Sequence, residues 1–345
     1  ISSYADSASP PLGRTSRVSS RSWVSVSSDS GSSSATRARI CLISLDDILV
    51  DADSVDDLVL VSVTAGASSN TAVSIGGNVL VFMDRVIAEL GGDVTAGGNV
   101  SVTADSDSLL VNFGAAVGVS GNTGVGGLAL ITYFTGKTIA KVLADSSVHA
   151  GGDLLVQALS DELITADGVG ISGGGTAGVS GTVDIIVTKV VTQAIIEDSE
   201  DHGEIQAKAI TVYAHDNYML VAVAASAAVG GTAGVGVTAM VTVAKNTVTS
   251  GIGDNYDVST LEGDVDVRAL SDREIRTYAG TVGGGGTAGV GVTLMVTVIG
   301  GKMDVDSSDA LNEHFSADDL FNGNDNERGM KDNAPSVAGS YYDSG

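Results

Sequence analysis

Asp107, Asp161, Asp216 and Asp272 recur along the chain, each inside a short polar cluster. Carboxylates gathered in a row on one surface do two kinds of chemistry. A pair of them cleaves a glycosidic bond, one as acid and one as base or nucleophile. A set of carboxylate oxygens holds Ca²⁺. A second acidic group, Asp304, Asp306, Asp309, Asp325 and Glu327, supplies the Ca²⁺ candidates near the carboxyl end. Neither group carries a known ion motif. The G-G-x-G-x-D nonapeptide of Ca²⁺-binding β-rolls is absent, since Thr stands where Asp belongs. No stretch matches the EF-hand loop.

The other reactive residue types are scattered. His149, His202, His215 and His314 make no H-x-x-x-H or H-E-x-x-H pair, and they read as surface turn residues. Serines are plentiful, but no G-x-S-x-G elbow exposes one. The Gly-rich stretch 283–289 lacks G-K-[ST] and opens a strand rather than a helix, so it is not a phosphate cradle. Tyr213, Tyr218, Tyr278, Tyr341 and Tyr342 form no regular stacking platform for a glycan. No catalytic or cofactor-binding residue is assigned. Ca²⁺ is the one ion the composition allows for.

Composition narrows the field. The net charge is −25, a field that repels nucleic acid and anionic membranes. No apolar run reaches the ~18 residues of a membrane span. Cys41 is the single cysteine, which excludes an intrachain disulfide and a Cys-based metal cluster. Gly is 46 of 345 residues, about twice its usual share, while Pro is only 3. Hydrophobic residues make up 43% but aromatics only 4%, so the apolar content is Val, Ala, Leu and Ile. That palette suits thin stacked β-layers. The chain begins Ile-Ser-Ser-Tyr and reads as an internal piece of something longer, or a processed product.

The elements that must position these residues announce themselves by repetition. Gly230-Gly231-Thr232-Ala233-Gly234-Val235-Gly236 returns as Gly285-Gly286-Thr287-Ala288-Gly289-Val290-Gly291. Looser copies surround Thr71, Thr123 and Thr176. The five threonines are separated by 52, 53, 56 and 55 residues. A second motif, D-V-x-V-x-A, closes on Ala52, Ala104, Ala158, Ala214 and Ala269, at intervals of 52, 54, 56 and 55. Thr123, Thr176, Thr232, Thr287, Ala104, Ala158, Ala214 and Ala269 are the structural anchors of the repeat.

Each copy reads as a short strand, then a polar corner such as Asp105-Ser106-Asp107 or Ser160-Asp161-Glu162, then a longer strand run. In the run after Gly234, Val235, Val237, Ala239, Val241 and Val243 share one face, and Gly236, Thr238, Met240 and Thr242 share the other. Period two means strand with one buried face, and the threonines are expected as ladders on the outside. A 52–56-residue unit of short strands cannot bury its apolar face alone, so the units must stack. The fold expected is an all-β parallel β-helix, or β-solenoid, of about five repeats. With two or three coils per unit, five units would make a rod of roughly 50–70 Å. The approximate units are 41–108, 109–162, 163–217, 218–273 and 274–302. Residues 1–40 read as a Ser/Arg-rich linker or irregular cap, and 303–345 as an acidic polar cap or tail.

Units pairing G-G-T-A-G-V-G-V with A-G-G-D-V-x-V-x-A resemble the repeats of large filamentous adhesins of Gram-negative bacteria, the filamentous-haemagglutinin-like and leukotoxin-like exoproteins. The resemblance covers about residues 45–300. It implies a right-handed parallel β-helix, secreted or on the cell surface, with no catalytic residues. The function it implies is a structural and adhesive rod segment that contacts a host or neighbouring-cell receptor or glycan. A subunit of an extracellular filament or sheath, polymerising by end-to-end stacking, is the alternative. A polysaccharide-active β-helix enzyme comes third. No nucleic-acid partner and no membrane insertion are expected.

Overall fold

The structure is a computed structural model that describes residues 14–19, 34–39, 42–200 and 203–300. The expected segment 303–345 lies outside these residues. So does 1–40, apart from two short strands, β1 (Arg14–Ser19) and β2 (Ser34–Arg39).

All regular elements among the described residues are β-strands, and the repeat deals one strand to each of three sheets. Sheet A stacks β4 (Ile48–Ser68), β7 (Val100–Ser120), β10 (Leu154–Gly174), β13 (Ile210–Gly230) and β16 (Val265–Gly285). Sheet B stacks β5 (Thr71–Gly91), β8 (Thr123–Val142), β11 (Ala177–Ile196), β14 (Ala233–Ile252) and β17 (Ala288–Ile299). The short sheet C holds β3 (Leu42–Ser44), β6 (Asp93–Ala96), β9 (Ser147–Ala150), β12 (Gly203–Ala207) and β15 (Tyr256–Thr260). Successive repeats pair in parallel throughout. β2 also adds in parallel, to β5, while β1 lies antiparallel on β4. The molecule is a parallel β-solenoid.

One repeat makes one coil, not two or three. The chain runs along sheet A for 21 residues, turns over two residues, returns along sheet B and closes through sheet C. Each long strand spans about 70 Å, and five coils climb only about 24 Å, by the ordinary rise and spacing of β-strands. The expected polar corners do not exist. Asp105-Ser106-Asp107 lies in mid-strand on β7, and Ser160-Asp161-Glu162 in mid-strand on β10. Alternation carries the strand through: Ser106 and Ser160 point inward while the flanking aspartates Asp105, Asp107 and Asp161 point outward.

The true corners are elsewhere. At the tip of each coil a two-residue turn, such as Gly175-Thr176 or Gly231-Thr232, joins sheet A to sheet B. The tip threonines stack through their backbones, Thr232 N–H donating to Thr176 O at 2.8 Å and Thr287 N–H to Thr232 O at 2.9 Å. At the opposite, base end the leading Asp or Asn of D-V-x-V-x-A forms its own ladder. Asn99 N–H donates to Asp47 Oδ1 at 2.7 Å, and Asp153 N–H donates to Asn99 Oδ1 at 2.9 Å. Both motifs mark places where one coil hydrogen-bonds the next outside the sheets, which is why both keep the period.

The buried face is the reverse of the one expected. Thr238, Met240 and Thr242 are fully buried, while Val237 is 43% exposed. The threonine ladders are inside. The reason is space. Sheets A and B converge toward the tip, so inward positions there must be small. A Cβ on Gly174 would lie 1.9 Å from Ala177 O, and one on Gly230 would lie 1.9 Å from Ala233 O. Moving from tip to base along sheet A of the third repeat, the inward residues are Gly174, Ser172, Gly170, Gly168, Ala166 and then Ile164. The wedge widens and the side chains grow with it.

Larger apolar side chains fill two layers. One, at the base, joins sheet C to both long sheets through Val94, Val148, Ile205, Val156, Val212 and Ile196. The other lies mid-strand around Phe134, Ile164, Ile186, Leu220 and Met240. Phe134 stacks on Phe82, its neighbour one coil away, with ring centroids 6.0 Å apart. Between the two layers the interior is polar.

Candidate functional site

Two charged rows mark the outer surface, one on each long sheet. On sheet A the register places Asp107, Asp161, Asn217 and Asp272 directly over one another, with Asp53 and Asp105 stacked in the adjoining row. Asp216 is not a member. It is one residue out of phase, pairs with Ser160, and points inward. The sequence aligned it with the row because each polar cluster offers acids on both sides of the alternation.

A shallow groove of about 400 Å³ runs along this row, lined by Asp53, Asp105, Asp107, Asp161, His215 and Asn217 among others. Asn217 Nδ2 donates to Asp161 Oδ1 at 3.1 Å, and His215 Nε2 lies 3.0 Å from Asp272 Oδ2. Partial burial, and after it the neighbouring Asp53, raise the pKa of Asp105. Burial, then Asp161, raise that of Asp107. Carboxylates one coil apart, at about 4.8 Å, repel one another and draw cations. That is the chemistry the row supports on geometry. Among the described residues no group of three or more His, Cys, Asp or Glu side chains is placed to hold a metal ion.

On sheet B the outward positions at about this level are basic in two adjoining columns: Arg85 pairs in register with Lys137 and, two residues nearer the tip, Lys189 with Lys245. Nearer the base, Lys141 bridges acids of two neighbouring coils, at 3.3 Å from Glu89 and 2.6 Å from Glu197. The two broad faces therefore carry opposite charge at the same distance from the tip.

The polar interior was not legible as a site. Asp84 accepts a hydrogen bond from Ser106 Oγ at 2.8 Å, and Asp216 accepts one from Asn246 Nδ2 at 2.8 Å. Tyr218, fully buried, bonds Thr188 through its hydroxyl at 2.7 Å. Burial pushes the pKa of Tyr218 upward, so it stays a neutral phenol. Glu162 and Asp216 are neighbouring buried carboxyl groups, and burial raises both carboxyl pKa values. A period-two acid within an otherwise apolar inward row was the signal for these groups, visible only once the inward phase is known.

The residues singled out by sequence are placed as follows. Ala104, Ala158, Ala214 and Ala269 stack in one column of sheet A. Thr123 opens β8, while Thr176, Thr232 and Thr287 sit in the tip turns. His149 and His215 lie on strands rather than turns, their side chains outward because the alternation is continuous there. His149 Nε2 is 3.4 Å from Glu204 Oε2. His202, His314, Cys41 and the Ca²⁺ candidates Asp304, Asp306, Asp309, Asp325 and Glu327 lie outside the described residues.

No protein-family model matches the chain, and no curated protein matches it. No helix among the described residues is long and apolar enough to cross a membrane.

Proposed function

We infer that the chain is a structural and adhesive segment of an extracellular bacterial surface protein. The observation that supports this reading most is the in-register stacking of whole coils, β10 pairing with β13 over all 21 residues. Such stacking makes a stiff scaffold whose outward positions vary without disturbing its ladders. The repeat units resemble those of large filamentous adhesins, which points the same way. The acidic row on sheet A is the part of the scaffold with the charge to meet a cationic or cation-bridged surface.

Beads coated with the chain, presented to cultured cells and to immobilised glycans, test this. The expected result is saturable adhesion above beads carrying an unrelated acidic protein. Adhesion no better than that control would overturn the adhesive reading. Release of reducing ends from anionic glycans, lost in Asp107→Asn with Asp161→Asn, would make the row an enzyme's site instead. A second reading, a subunit that assembles with its own kind, is favoured by the exposed apolar rows of both long sheets.

A further inference from the structure

Tipward of its basic row, sheet B carries no outward charge on any of its five long strands. On β5 this stretch is thirteen residues, from Thr71 to Met83. Its outward side chains are well exposed: Ile75 is 72% accessible. Five strands ~4.8 Å apart, each contributing about twelve residues at ~3.3 Å, present roughly 1,000 Å². Apolar patches on soluble monomers rarely exceed a few hundred Å². A stable interface takes about 800 Å² from each partner.

Sheet A offers a matching outer face. Val59, Val61 and Val63 on β4, and Val229 on β13, are exposed there. The outward charged residues on its tipward stretch are Asp57, Asp167, Glu274 and Arg276. Its acidic row stands level with the basic row of sheet B: Asp161 is thirteen residues before Gly174, and Lys189 is thirteen residues after Thr176.

We propose that the occupant of these faces is a second copy of this chain, with sheet B of one copy packed on sheet A of the next. At the ~10 Å spacing of packed sheets the apolar stretches meet, Lys137 and Lys189 come opposite Asp107 and Asp161, and Lys245 comes opposite Asn217, one coil from Asp272. Packing like on like would set cation against cation or acid against acid, so charge selects the unlike pairing. Because the two faces differ, the contact does not close on itself and repeats sideways. This lateral assembly covers the acidic row that the adhesive reading offers to a cell surface, leaving it open only on the outermost copy, and it uses the broad faces rather than the ends of the solenoid.

Sedimentation velocity of the full chain at increasing concentration is the test, with two charge-reversed variants. One carries Lys137→Glu, Lys189→Glu and Lys245→Glu. The other carries Asp107→Lys, Asp161→Lys and Asp272→Lys. The wild type is expected to associate. Each variant alone presents two like-charged faces, and is expected to lose at least about tenfold in association constant, equivalent to ~1.4 kcal/mol. Mixing the two variants restores association, since each then meets its complement. A wild type that stays monomeric at every concentration overturns the proposal. So do variants that associate unchanged, or a mixture that gains nothing. Co-flotation with zwitterionic vesicles, equal in wild type and variants, would assign the face to lipid and also overturn it. If a reversed row fails to fold by circular dichroism, Val237→Asp replaces it, and the same loss of association is required.

Discussion

Inside the solenoid Glu162 and Asp216 are buried carboxyl groups on neighbouring coils, and neither Glu162 Oε2 nor Asp216 Oδ1 receives a hydrogen bond. Two buried negative charges this close oppose one another, so the pair keeps one proton. Burial first, then the charge of Asp216, raises the Glu162 pKa well above its ordinary value. Asn246 Nδ2 and, at 3.4 Å, Ser271 Oγ donate to Asp216.

The folded state thus binds a proton that the unfolded chain releases near 4.5. Stability from this pair is full below that value and falls as the pH rises toward the folded pKa. Glu162→Gln keeps the size of the side chain and removes the titration. Urea unfolding across pH should show a flatter profile for Glu162→Gln than for the wild type. Glu162→Ala leaves the buried Asp216 charge without its proton-sharing neighbour and should cost about 2–4 kcal/mol. Equal slopes in wild type and Glu162→Gln would refute the shared proton.

Asp184 is a simpler case of the same physics. It is fully buried, and neither of its carboxylate oxygens has a hydrogen-bond partner. Burial, aided by the charge of Asp167, pushes its pKa up to about 7. The unfolded chain ionises near 3.8, so stability falls as pH rises between 3.8 and about 7 and stays lowered above that. The loss amounts to about 4 kcal/mol. On the coils either side the same position holds Leu130 and Met240. Asp184→Met should therefore raise the unfolding free energy at pH 8 and leave it nearly unchanged near pH 4. A variant less stable than wild type at pH 8 would contradict this.

The taper at the tip makes a paired prediction. Gly174→Ala puts a methyl group 1.9 Å from Ala177 O, where only backbone movement can make room. It should cost more than about 2 kcal/mol. At Gly181, outward on β11, an added methyl meets nothing within 4 Å. Gly181→Ala should gain about 0.4–1 kcal/mol, by restricting the unfolded chain. Thermal or urea denaturation of the two variants decides it.

The period of the repeat, its strand content and its parallel stacking were all legible in the sequence. The anchors that made them so, Thr232 over Thr176 and Asp153 over Asn99, are places where a backbone N–H bonds the neighbouring coil outside the sheets. Which face is inside was not legible, because ordinary hydrophobicity points to the valines. Val235 and Val237 outrank Gly236 and Thr238 on any apolar scale, yet the converging sheets admit only the smaller pair. The false corners have the same origin. Asp105-Ser106-Asp107 resembles a turn until Ser106 is known to face Asp84 across the interior. The number of coils per repeat was hidden too, since a period does not say how far the chain travels before it returns.

Cysteine labelling tests the inverted wedge most directly. Val237→Cys and Thr238→Cys, each in a Cys41→Ser background, place a thiol on adjacent residues of β14 whose side chains point to opposite faces. Under native conditions the thiol at position 237 should react readily and the one at 238 should be protected by about a hundredfold or more, reacting only through opening of the coil. Fast labelling at 238 with protection at 237 would put the valines inside and overturn the arrangement of both sheets.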